Sequence, residues 1–267
     1  MAFDFTLKHN LTETLAQIRP ASEAVAVAAR ERWNSLAKPL YSMGLLEEDI
    51  CRIAAAQGTA AVKLDKPGLV IMCADNGVVA EGVSQVGQEV TSTVTANFVQ
   101  HATSVAIMSA KAGVDIFPVD IGVNNDFPAE LHAKGLIDRK IAYGTKNMVQ
   151  EPAMTEAEAV QAIEVGLNLA VALAEQGYNI LATGEMGIGN TTSSSAILSV
   201  LLDEPVEKMT GIGSGLTRAG IQRKQQAIAT AIAKHRPDAQ KPLDVLAKVG
   251  GLDIAGLVGV FLGGALC

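Results

Sequence analysis

The sequence predicts an α/β fold, a doubly wound parallel sheet with helices on both faces, accompanied by a small helical subdomain from the N-terminal region. Three observations carry that expectation. Residues 68–74 (GLVIMCA), 114–119 (VDIFPV) and 180–183 (ILAT) are short, largely apolar runs bounded by turn residues, as strands buried on both faces require. Helical stretches long enough for crossovers lie between them. Polar or glycine-rich turns follow each run, and open α/β sheets hold their ligands at the carboxyl ends of the strands.

Taken in order, residues 11–33 are Ala- and Glu-rich with helical apolar spacing, interrupted at Pro20, and 45–56 predict a second helix. Lys38-Pro39 and Gly44 punctuate the turn between them, and the preferred reading of Lys38-Pro39 is a helix stop. The run 68–74 ends in Asp75-Asn76-Gly77, so Asp75 and Asn76 are site candidates at a strand's carboxyl end; an Asx turn closing on Gly77 is the plainer alternative. A polar loop carrying Ser84 and Gln88 leads into a helical stretch to about residue 112, with His101 inside it in a structural role. Asp120, just past the second strand, repeats the position of Asp75. Residues 139–149 are less regular. Thr155 with Glu158 three residues on forms a capping box for a long helix closed by Gly177.

Residues 184–197 (GEMGIGNTTSSSAI) organise the rest. The third strand feeds a turn holding Gly184, Gly187 and Gly189 and one acid, Glu185, and a series beginning at Asn190 then opens a helix. Glycine admits backbone angles closed to other residues and lets a ligand approach, while a helix start offers unpaired N–H groups to an anion. The spacing is neither that of a P-loop nor G-x-G-x-x-G. We read a phosphate-binding turn, the alternative being an ordinary tight strand-to-helix connection. An acid beside an anion site is unfavourable unless chemistry uses it, which singles out Glu185 unless it simply faces solvent. A second glycine turn, 210–216 (TGIGSGL), precedes a helix over 217–234 that carries Arg218, Arg223 and Lys224. Such a charge cluster is ordinarily a wet helix face, but beside two glycine turns Lys224 is a candidate counter-charge. The apolar, Gly-rich stretch 249–266, with Asp253 inside it, predicts a buried or interfacial helix.

Composition narrows the function classes. With 267 residues, 49% of them hydrophobic, and a mean hydropathy of +0.26, the chain can bury a substantial core. A net charge of −7 argues against nucleic acid as a partner and permits a local basic pocket for a small phosphate. Three well-separated cysteines, Cys51, Cys73 and Cys267, imply neither a disulfide framework nor a metal cluster and fit a reducing cytoplasm. No secretory leader and no run of membrane-spanning length is expected.

Together, residues 74–91 (ADNGVVAEGVSQVGQEVT), 184–192 (GEMGIGNTT), 210–216 with Arg223-Lys224, and 250–265 (GGLDIAGLVGVFLGGA) resemble the nicotinate-nucleotide:dimethylbenzimidazole phosphoribosyltransferase family, and 37–47 (AKPLYSMGLLE) resembles it too. The likeness covers nearly the whole chain in order. It implies a helical segment over 1–60 and a Rossmann-like domain over 61–267. It also implies transfer of 5-phosphoribose from nicotinate mononucleotide to 5,6-dimethylbenzimidazole or a related base, with inversion to an α-ribotide and no cofactor; a homodimer or another partner is expected because the apolar stretch 249–266 leaves surface to cover. By the same resemblance Gly187, Gly189, Asn190, Thr191, Gly213, Ser214, Gly215 and Lys224 hold the nucleotide phosphate, Ser84, Gln88 and Met186 line the base pocket, and Glu185 lies beside the reacting groups. Two departures accompany it. The family's Asp-His-Gly string is Asp75-Asn76-Gly77 here, and its general-base glutamate belongs to a segment beyond position 267, leaving Glu185 as the candidate proton acceptor. The competing functions are a nucleotide-binding homologue without turnover and, from another class, a nicotinamide-dependent oxidoreductase.

Overall fold

In the computed structural model, which describes residues 3–267, the three apolar runs become β1 (Pro67–Ala74), β2 (Asp115–Gly122) and β4 (Ile180–Met186). A two-residue strand, β3 (Ile137–Asp138), which the sequence did not predict, lies just before the segment expected to be irregular. The order is β3-β2-β1-β4, parallel throughout. The chain therefore leaves β1 toward one edge and later returns to its other side. That reversal opens a crevice between the carboxyl ends of β1 and β4, the position where doubly wound sheets bind ligands.

Strand β4 is longer than predicted. Gly184, Glu185 and Met186, expected in the turn, extend the ladder opposite Ile71, Met72 and Cys73, so the turn proper begins at Gly187. Paired residues of a parallel ladder share a face. Glu185 accordingly projects on the side of Met72, and Met186 on the side of Cys73.

Helices cover both faces. Leu69, Ile71 and Cys73 pack with Phe98 of α4 (Glu89–Phe98) and, at the margin, Val105 of α5 (Ser104–Ala112). Val70, Met72 and Ala74 face α7 (Glu156–Glu175) and α12 (Leu252–Leu266). His101 does not lie inside a helix: α4 ends at Phe98, and His101 occupies the intervening turn with φ 54°. The predicted capping box is present at Thr155 and Glu158.

The Gly-rich stretch 249–266 resolves into the end of α11 (Pro242–Val249), a break at Gly250-Gly251, and α12. Glycine is what lets α12 lie backbone to backbone on α7. A Cβ on Gly166 would stand 1.9 Å from the Gly256 carbonyl oxygen, and one on Gly259 1.9 Å from that of Ile163. Contrary to the sequence expectation, α7 is long and apolar enough to cross a membrane by length and composition, yet 56% of that window is buried here against the sheet and α12.

The N-terminal helices divide. Helix α1 (Leu11–Gln17) joins the main core, tied by the Lys8 and His9 amides, which donate to Asn168 of α7. Helices α2 (Glu23–Ser35) and α3 (Leu45–Gln57) instead pair around their own small cluster of Ala29, Cys51 and Ala54. Their connection is held by a buried ion pair. Lys38 donates to Glu47 at 2.7 Å, holding that carboxyl below its ordinary range, so Lys38 does more than stop a helix. Helices α8 (Asn190–Leu201), α10 (Arg218–His235) and α11 share a further core with Val78, Val83 and Met148 beyond the strand ends. Two short helices, α6 (Ala129–Ala133) and α9 (Val206–Met209), complete the set.

Candidate active site

Four segments meet at the β1–β4 crevice: the end of β1, the loop 82–88, the turn 187–190 and the turn 211–215. Gly189, at φ 93°, packs against Asn76 and Val79, and a Cβ there would stand 2.8 Å from Val79 Cγ2. Gly187 is tighter still. Its Cβ would lie 2.3 Å from the Ala74 carbonyl oxygen and 2.7 Å from Asp253 Oδ2. The second turn closes on the first: a Cβ on Gly213 would be 3.0 Å from Thr191 Oγ1 and 3.3 Å from Lys224 Nζ. Gln85 donates its amide to the Gly215 carbonyl, joining the loop after β1 to the second turn.

Lys224 is the electrostatic centre. Although α10 also carries the exposed Arg218 and Arg223, Lys224 is fully buried, so the wet-face alternative fails for this residue. Its ammonium donates to Thr191 Oγ1 at 2.7 Å and reaches the Gly211 carbonyl at 3.5 Å, and burial lowers its pKa. Among the described residues it forms no salt bridge, whereas Lys38, Lys140 and Lys248 each do. A buried cation without a carboxylate is costly unless an anion joins it.

The donors differ from those expected. At the start of α8 the Asn190 amide donates to Gly187 O, Thr192 N to Gly189 O, Thr191 N to the Asn190 side chain, and Ile188 N to Thr91 Oγ1. Those groups are therefore not free for an anion as the helix-start reading supposed. In the exposed second turn, Gly213 N and Ser214 N carry no backbone hydrogen bond among the described residues, which leaves them open beside Lys224.

Glu185 lies at the crevice with its carboxylate accepting from the Asn190 side-chain amide, Nδ2. Partial enclosure raises its pKa, opposed by that hydrogen bond. Gln88 donates through Nε2 to the Asn76 carbonyl at 3.1 Å, and Ser84 accepts from Val86 N, so both line the same loop. Met186 turns to the α4 side, half-buried against the cluster of Leu69, Ile71 and Cys73.

Asp75 and Asn76 part company. Asp75 is buried, accepts from Asn124 N at 2.8 Å and has its pKa raised by burial; it braces the loop after β2. Asp120 does likewise with Lys140 and Val123 N. Asn76 instead joins the site: its Oδ1 accepts from Ser193 Oγ at 3.0 Å and its Nδ2 lies 3.5 Å from Asp253 Oδ2. Asp253 was not predicted as a site residue. Its one sequence signal is an acid inside an otherwise apolar string, GGLDIAGLVG. Burial, followed by the nearby Glu185 charge, pushes its pKa up to about 7.

A parallel sheet whose switch point carries two interlocked glycine turns, a buried lysine without a salt bridge among the described residues and a flanking acid belongs to the α/β class that holds small anionic ligands at the strand ends. Comparison with known proteins gives the particular family. A family model described as phosphoribosyltransferase matches residues 18–267. The nicotinate-nucleotide–dimethylbenzimidazole phosphoribosyltransferase of Acetivibrio thermocellus is 46% identical over 257 residues, covering 96% of this chain and 72% of that protein. That of Clostridium tetani is 44% identical over 255 residues, covering 96% and 69%. The crystal structure of CobT from Thermus thermophilus superposes with a TM-score of 0.84 at 39% identity, covering 90% of this chain and 71% of that one. This chain belongs to the nicotinate-nucleotide–dimethylbenzimidazole phosphoribosyltransferase family.

Proposed function

We propose that this chain moves 5-phosphoribose from nicotinate mononucleotide to the ring nitrogen of 5,6-dimethylbenzimidazole or a related base, giving α-ribazole 5'-phosphate and nicotinate for the nucleotide loop of cobalamin. The observation that carries the reading is the buried, unpaired Lys224 between two glycine turns, which calls for a small anion at the switch point. The phosphate is met by Lys224, Thr191 and the amides of Gly213 and Ser214, with Gly187, Gly189, Asn190 and Gly215 shaping the cradle.

N-ribosylated nicotinate is a pyridinium and leaves as a neutral ring nitrogen. As the C1'–N bond breaks, positive charge develops on the ribosyl carbon, and the Glu185 carboxylate stabilises it from the crevice. The unprotonated azole nitrogen attacks from the face opposite the departing nicotinate, which inverts C1', and the proton on the other ring nitrogen passes to a carboxylate. Glu185, its pKa raised by burial and its carboxylate at the crevice, is the candidate acceptor. Ser84, Gln88 and Met186 contact the base. We further place the chain in a reducing cytoplasm as a homodimer, since the α2–α3 connection exposes Leu40, Tyr41 and Leu45 as a surface for a second copy to cover.

Incubating the chain with nicotinate mononucleotide and dimethylbenzimidazole and following both products by mass tests the reading. Equimolar nicotinate and ribotide are expected, with turnover lost in Glu185→Gln. Absence of both turnover and nucleotide binding would contradict it.

A further inference from the structure

Asn76 and Asp253 are buried, 177 residues apart in sequence, and meet beneath the turn 187–190. Their surroundings leave little freedom. A Cβ on Gly187 would stand 2.7 Å from Asp253 Oδ2 and 2.9 Å from Asn76 Nδ2, so the turn's backbone rests on both side chains. From the other side, a Cβ on Gly251 would lie 2.2 Å from Asp253 Oδ1 and 2.9 Å from Asn76 Oδ1. Asp253 Oδ1 accepts from Ile254 N at 2.9 Å, which pins the carboxylate to the first turn of α12. Asn76 then has one sensible orientation: its Nδ2 faces the carboxylate and its Oδ1 faces the Ser193 hydroxyl. Its backbone carbonyl receives Gln88 Nε2. One amide thus links the end of β1, the loop bearing Gln88, the first turn of α8 and the start of α12.

We propose that Asp253 is a positioning residue for phosphoribosyl transfer: through Asn76 it fixes the turn 187–190 and the start of α8 in the arrangement that receives the nucleotide. This rests on the activity proposed above. The buried groups around Asp253 support the role. Glu185 faces it from β4, and α7 brings uncharged Ile163, Gly166, Leu167 and Ala170 against α12. Among these neighbours, only Asn76 offers the carboxylate a side-chain hydrogen bond.

Polarity makes the idea testable. In Asp253→Asn the new amide confronts Asn76 Nδ2 with a second donor, or turns and loses the Ile254 amide. Exchanging the two residues, Asn76→Asp with Asp253→Asn, restores one donor and one acceptor, and the hydroxyl of Ser193 still finds an oxygen at position 76. The measurements are KM and kcat with nicotinate mononucleotide, and hydrogen exchange of the 184–197 peptide in the unliganded chain, with the 159–173 peptide as control. Asp253→Asn should raise KM by about tenfold, move kcat by no more than about threefold either way, and speed exchange in 184–197 alone. The exchanged pair should bring both back to within about threefold of the parent. An unaltered KM and exchange rate in Asp253→Asn, or failure of the exchanged pair to recover, would overturn the proposal. If the parent chain shows no turnover, the substrate reading fails, and the exchange arm still decides whether Asp253 holds the turn.

Discussion

At the scale of single residues, two buried ionisable groups set the behaviour of the site. Among the described residues Lys224 has no carboxylate partner, so its charge opposes folding in the free protein and is compensated when an anion binds. Lys224→Met should therefore stabilise the ligand-free chain by about 1–2 kcal/mol, seen as a higher Tm, and remove the Tm increase that nicotinate mononucleotide gives the parent. Asp253 acts through pH. Its folded pKa, about 7, lies above the ordinary 3.8. Between those values the folded chain binds more protons than the unfolded one, so the stability this group contributes is complete below pH ~4 and is lost as pH rises toward ~7. The effect is on the order of a few kcal/mol. Thermal melts of the parent and Asp253→Asn across that window should diverge, the parent losing ground as pH rises. Parallel curves would mean that folding leaves the pKa of Asp253 at its ordinary value.

At the scale of elements, the α7–α12 contact carries the face of the sheet beneath the site. Its closeness depends on Gly166, Gly256, Gly259 and Gly263. Gly259→Ala places a methyl on the Ile163 carbonyl, and the backbone can relieve that only by parting the helices. Urea unfolding should show a loss of about 3 kcal/mol or more. Since α12 also delivers Asp253, activity should fall with stability. What the sequence disclosed at this scale follows from periodicity and caps: strands β1, β2 and β4, and helix α7 with its Thr155–Glu158 box. It could not disclose that β4 continues through Gly184 to Met186, because a glycine reads as a turn until the ladder with β1 supplies partners. Nor could it reveal the break at His101, which a polar helical stretch conceals.

At the scale of the whole molecule, chain reversal at β1 brings together pieces of sequence far apart, and the site's legibility divides accordingly. The glycine turns and Lys224 can be read from composition and order, and the hydrogen bond from Lys224 to Thr191 brings the two turns together. The turn amides at the start of α8 were misjudged, because their acceptors, such as Thr91 Oγ1, come from a distant segment. Asp253 escaped for the same reason: an isolated acid in an apolar string gains meaning only when Asn76 and Gly187 stand beside it. On the proposed reading, the two turns and the buried ammonium form one phosphate site. The most direct measurement is calorimetric binding of nicotinate mononucleotide and of nicotinate riboside, which lacks the phosphate, to the parent and to Lys224→Met. The parent should favour the mononucleotide by about 100-fold, and the variant by less than about threefold. A variant that keeps the full preference would show that the phosphate binds elsewhere.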